Sequence, residues 1–142
     1  MPFIHKLPGH LIRRLHQHSV AIFTQKMQSA GFDLTQLQFA VLSAIQENPG
    51  IDQATLATFV AMDKVTIGDV VSRLEARQLL WRLIKESDRR ARTLTLTGDG
   101  NKLLDEIRPV VLEIQDEILR TLSAEERDCF IHLITTICDP DL

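Results

Sequence analysis

A mainly α-helical fold carrying one small β-hairpin is predicted by three features of the chain. Apolar residues recur at helical spacing near both ends. Two short helical segments in the middle each follow an aspartate that can cap them, Asp52 and Asp63. Directly after the second, two β-rich runs flank a polar turn studded with arginines.

Each element follows in order. Leu11, Ile12, Leu15, Ile22, Phe23 and Met27 mark a first helix over 9–30, bounded by Pro8-Gly9 and Gly31. Thr35 is placed to cap a second helix carrying Phe39, Val41, Leu42 and Ile45, and Asn48-Pro49-Gly50 ends it. Asp52 caps a short third helix with Ala54, Leu56, Ala57 and Val60, and Ala61-Met62 breaks it. Asp63 caps a fourth whose Ile67, Val70, Val71 and Leu74 share one buried side. Two short helices across a tight turn, the second basic at its start, make a helix-turn-helix. Leu80–Lys85 and the strictly alternating Thr93–Thr97 form a hairpin about a turn at 86–91. Gly98-Asp99-Gly100 reads as a junction to a long helix reaching about Leu122, which Pro109 should kink or split. Ser123 to Glu126 is a capping box for a last helix through Ile137.

This order gives a winged helix-turn-helix over 33–100, with 1–32 and 101–142 as a helical dimerisation region. The first, long and last helices carry more apolar residues than one small bundle can cover. A second copy of the chain would cover them, so a homodimer is expected.

The 142 residues suit one domain. Hydrophobic content is 44% with no Tyr, so aliphatic side chains must fill the core. No apolar run approaches the roughly 20 residues of a membrane span, and the N-terminus lacks a signal-peptide pattern, so no membrane role and a cytoplasmic location are expected. Net charge is −3, but it is segregated. Residues 1–32 hold four Lys/Arg and no acid; residues 64–92 hold eight Lys/Arg and four acids. Residues 104–142 hold three Lys/Arg and ten acids. Such segregation turns one face toward a polyanion. Cys129 and Cys138 form no metal-binding or redox spacing. No nucleophile–base pair, phosphate loop or metal motif appears, so neither catalysis nor a cofactor is expected.

The fourth helix presents Lys64, Val65, Thr66, Gly68, Asp69, Ser72 and Arg73 on its outward face. Small and polar side chains let a helix sit deep in a major groove and reach base edges. Gly68 costs about 1 kcal/mol of helix stability against Ala, which close approach to DNA or another helix would offset. The hairpin tip carries Arg89, Arg90 and Arg92, suited to a narrow and electronegative minor groove. Asp88 beside them would pair with an arginine and fix its direction. These residues point to double-stranded DNA as the partner.

The chain resembles the MarR family of winged-helix transcription regulators. The resemblance rests on Leu74-Glu75-Ala76-Arg77-Gln78-Leu79, Arg82, Asp88-Arg89-Arg90-Ala91-Arg92, Leu94-Thr95-Leu96-Thr97 and Gly100. Leu34-Thr35-Gln36-Leu37-Gln38-Phe39 and Leu56-Ala57 add to it. It implies an obligate homodimer on a pseudo-palindromic operator, with repression the favoured action. Lys64, Thr66, Ser72 and Arg73 would then be recognition-helix contacts, and Arg90, helped by Asp88, the wing contact. Two departures stand out. Gln78 occupies a usual glycine position, and Asp69 stands where a basic residue is common.

The resemblance also implies a small aromatic acid bound between the dimerisation helices and the DNA-binding lobe. His10, Arg13, Arg14 and His16 on the first helix are the candidates for holding a hydroxylated benzoate or nicotinate, since cations pair with carboxylate and imidazole with ring substituents. The competing reading of these side chains is a solvated basic surface. A metal- or redox-responsive regulator of the same fold, or a winged-helix protein-interaction module, is the alternative function. His16 and His18 point to different sides of a helix, which disfavours a metal site. An interaction module has no need of the arginines at 89, 90 and 92.

Overall fold

The computed structural model describes residues 1–139; the last three residues of the expected 101–142 region lie outside the described residues. A 3-10 turn at Phe3–Lys6 leads into α1 (Pro8–Ser29), which has Pro8 in its first turn, where no N–H is needed. Then come α2 (Gln36–Glu47), β1 (Ile51–Asp52), α3 (Gln53–Phe59), α4 (Lys64–Ala76), β2 (Leu80–Lys85) and β3 (Asp88–Leu96). The chain ends in α5 (Gly98–Ile118) and α6 (Ala124–Cys138). The fold is a winged helix with a three-stranded antiparallel sheet in the order β1-β3-β2.

Several boundaries differ from expectation. The turn expected over 86–91 contracts to Glu86-Ser87, because β3 already begins at Asp88. β1, two residues pairing Ile51 with Leu94, is too short to show an alternation. Gly98-Asp99-Gly100 is the first turn of α5 and not a loop, since Thr97 caps that helix by accepting from the Gly100 N–H at 3.0 Å. Pro109 does not split α5, which continues through it. Thr35 with Gln38, and Ser123 with Glu126, form reciprocal capping boxes.

The core lies where α2, α3, α4 and the sheet meet, around Leu42, Ile45, Leu56, Ile67, Leu74 and Leu94. Phe23 and Met27 from α1 and Leu104, Ile107 and Ile114 from α5 extend it toward the chain ends. α6 differs: none of its residues is buried. An Arg127–Asp116 ion pair at 3.2 Å ties it to α5. No helix among the described residues is long and apolar enough to cross a membrane.

Candidate nucleic-acid interface

Helix α4 is started by Asp63. One carboxylate oxygen accepts from the Thr66 N–H at 2.9 Å, the other from the Thr66 hydroxyl at 2.7 Å. These bonds, the hydroxyl first, hold the Asp63 carboxyl below the usual carboxylate range. Asp52 does the same for α3, accepting from the N–H and hydroxyl of Thr55, and its carboxyl is lowered for the same reason. Between the helices Ala61 takes a left-handed conformation, φ 56°, and the Met62 N–H closes back on the Ala57 carbonyl at 2.9 Å.

With Ile67, Val71 and Leu74 buried, the opposite side of α4 turns to solvent. Lys64, Val65, Asp69, Ser72 and Arg73 are exposed, Val65 by 77%. Thr66 and Gly68 turn partly inward. The Thr66 hydroxyl is engaged by its cap, and a Cβ on Gly68 would lie 3.4 Å from Gln53 Nε2 on α3.

The wing tip is irregular. Ile84 pairs with Arg92, but Lys85 pairs with Asp88, so Arg89, Arg90 and Ala91 stand opposite nothing and bulge from the ladder. Asp88 accepts from the backbone N–H of Arg90 at 3.0 Å. This corrects the expectation of an Asp88–guanidinium pair: the tight turn brings the carboxylate to the main chain, and it fixes the Arg90 backbone instead. Arg89 and Arg90 are exposed, whereas Arg92 folds back to donate to the Arg89 carbonyl at 2.8 Å. The bulge carries Arg90 and Arg92 to a cleft of about 210 Å³ shared with Lys64, Asp52 and Gln53. Cations from α4 and from the wing thus border one space, and the buried Gln53 Oε1 has no hydrogen-bond partner there.

Two contributors were given no site role by sequence, although Arg82 was among the residues that carry the family resemblance. Gln53 gave no signal beyond following a cap. Arg82 gave one, its place in the alternation of β2: in the structure it is turned inward while Trp81 and Leu83 face out. Its Nη2 donates to Ser72 Oγ at 2.7 Å.

The α1 candidates are arranged differently. His10 is half-buried and stacks on His5 at 5.6 Å between ring centroids, nearly parallel. Partial desolvation, then the positive fields of His5, Arg13 and Arg14, lower its pKa and favour the neutral ring. Arg13, Arg14 and His16 are exposed. A separate cleft of about 240 Å³ opens between α2 and α5, lined by Phe39, Ser43, Leu104, Arg108 and Val111, and no α1 residue borders it. No three His, Cys, Asp or Glu among the described residues gather as metal ligands. Cys129 and Cys138 are exposed on α6.

Comparison with known proteins agrees with this geometry. The model of the MarR family matches residues 34–91, from the start of α2 into the wing tip. The transcriptional repressor NicR of Pseudomonas putida is 35% identical over 133 residues, 94% of this chain and 83% of its own. The structure of Bordetella bronchiseptica BpsR, whose DNA binding is regulated by 6-hydroxynicotinic acid, superposes with a TM-score of 0.88 at 33% identity, covering 98% of this chain and 97% of its own. Streptomyces coelicolor PcaV, solved with its natural ligand, gives 0.87 at 31% identity over 100% and 99% of the two chains. A winged helix whose capped, solvent-facing α4 stands beside an arginine bulge, matched over nearly its whole length by these regulators, belongs to the MarR family of transcription regulators, which are not enzymes.

Proposed function

We propose that the chain acts in the cytoplasm as a homodimeric repressor that reads a pseudo-palindromic operator and is released by a small aromatic or heteroaromatic acid. Residues 33–100 form the DNA-binding lobe, and 1–32 with 101–142 the dimerisation region. The observation that carries this is the shared cleft: Lys64 on α4 and Arg90 and Arg92 on the wing border one space, so one duplex meets both elements together. Lys64, Val65, Asp69, Ser72 and Arg73 enter the major groove with the partly inward Thr66 and Gly68 behind them, while Asp88, Arg89, Arg90 and Arg92 follow the backbone and minor groove. Asp69 gives the helix an acceptor, which suits a cytosine amino group.

Dimerisation is supported by what α1, α5 and α6 leave uncovered. Ile12, Leu112, Ile131, Leu133 and Ile137 are all exposed, Ile137 by 72%. A symmetric partner removes such surface from water. For the effector, His10, Arg13, Arg14 and His16 supply cations and a neutral imidazole, and the action of 6-hydroxynicotinic acid on BpsR points to the same ligand class. The acid must bind one spacing of the two lobes better than another to release DNA.

Fluorescence anisotropy against a duplex from the region upstream of the chain's own gene tests the main claim. Binding should weaken steeply with salt, by a slope of about 0.9 per phosphate neutralised. Arg90→Ala should lower that slope by about one. Absence of binding at low salt removes the function. Titration calorimetry with 6-hydroxynicotinate and hydroxybenzoates tests the effector, with Arg14→Ala expected to abolish the heat.

A further inference from the structure

Arg82 is the one long cation of β2 that alternation turns inward, on the side of buried Leu80. Its neighbours Trp81 and Leu83 face solvent, 60% and 55% exposed. On its inner side Arg82 meets the C-terminal half of α4. Nη2 donates to Ser72 Oγ at 2.7 Å, and Nε lies 4.0 Å from Glu75 Oε1. Ser72 and Glu75 are three residues apart and share a helix face. A cation at this end of α4 is also favoured by the helix dipole. Nε itself is buried without a hydrogen-bond partner, a cost the fold bears to keep a guanidinium here.

The direction of the Ser72 bond matters. A serine hydroxyl has one proton and two lone pairs. Because Oγ accepts from Arg82, its own proton cannot point toward the wing. We propose that Arg82 is a positioning residue for operator reading: it braces the wing against α4 and holds the Ser72 hydroxyl as an outward-facing donor. The proton so directed suits bases that present an acceptor in the major groove, a purine N7, guanine O6 or thymine O4. The brace belongs to the free protein; its effect on a duplex rests on the operator-binding function proposed above.

The test compares wild type, Arg82→Met, Ser72→Ala and the double variant by anisotropy on the upstream duplex at several salt concentrations. Methionine keeps an unbranched apolar stem and removes every donor. Each single variant should bind about tenfold more weakly, with the salt slope unchanged, and the double variant no more weakly than either. In the free protein, amide exchange should quicken at 72–77 and 80–85 in both single variants. A salt slope lowered by about one in Arg82→Met would make Arg82 a phosphate contact and overturn the proposal. Losses that add in the double variant, or exchange left unchanged, would overturn it too. If wild type binds no duplex at any salt, the donor role falls with operator binding, and the exchange comparison decides the brace alone. Ser72→Ala is the milder change and keeps the test open should Arg82→Met fold poorly.

Discussion

Gly100 packs so closely on Leu79 that a Cβ at that glycine would collide with the Leu79 carbonyl oxygen. The contact joins the end of the α4 segment to the start of α5. Thr97 completes it: its N–H donates to the Leu79 carbonyl at 3.1 Å, its hydroxyl donates to the Gln78 carbonyl at 2.7 Å, and the same oxygen accepts from the Gly100 N–H. The wrong side chain here must push backbone, which no rotamer change relieves. Gly100→Ala should therefore cost about 1–3 kcal/mol in urea unfolding, far more than an alanine normally does in a helix. An unaltered urea midpoint would mean that α5 slides freely on Leu79.

Gln78 ends α4 with φ 61°, in the left-handed region that favours glycine. The Leu79 N–H reaches back to the Leu74 carbonyl at 3.0 Å, the same closure that Gly31 makes after α1 and Ala61 after α3. Three helices thus end alike, but only one with the residue that fits without strain. Gln78→Gly and Ala61→Gly should each stabilise the protein by about 0.5–1 kcal/mol, the relief of strain less the entropy that glycine loses on folding. Thermal melts at fixed protein concentration check this; a fall in melting temperature for both would show that the strain is absent.

Asp63 makes α4 sensitive to acid. Its carboxyl is lowered in the folded state by the bonds from Thr66. That stabilisation is complete above the unfolded value, near pH 4, and vanishes as pH drops through the lower folded value. Asparagine can cap a helix without a charge. Asp63→Asn should match wild type in urea at pH 7 and lose less stability than wild type between pH 4 and pH 2. Equal losses in the two proteins would mean that Asp63 is not the titrating group. Asp52→Asn should act likewise at α3.

Gly68 is only half-buried, and its nearest non-local neighbour is the flexible end of Gln53. A methyl group there has room and points toward α3. Gly68→Ala should raise stability by up to about 1 kcal/mol and leave duplex affinity within twofold. A large loss of affinity would instead place this residue on the groove floor.

The fold was legible wherever the signal was local. Asp52, Asp63, Thr35 and Ser123 sit at helix starts as their spacing requires, because a cap is written within four residues. Features that depend on distant partners were not. β1 exists only because Leu94 is opposite Ile51, and Gly98–Gly100 reads as a loop because the close approach of Leu79 that calls for a glycine at 100 is not written locally. The candidate site divides in the same way. The exposed side of α4 follows from periodicity, whereas the Asp88 bond to the Arg90 backbone depends on a turn two residues long. Arg82 and Gln53 act across elements, and nothing in the order of residues names their partners.

Helix α6 buries no residue within its own chain. In the proposed homodimer a second copy would cover this helix, and folding and assembly would become a single concentration-dependent event. Dilution of that dimer should strip this segment first, before the lobes around α4 give way. For such a dimer, a cell that keeps few copies would also keep a less robust molecule, and abundance would become a determinant of integrity as well as of occupancy.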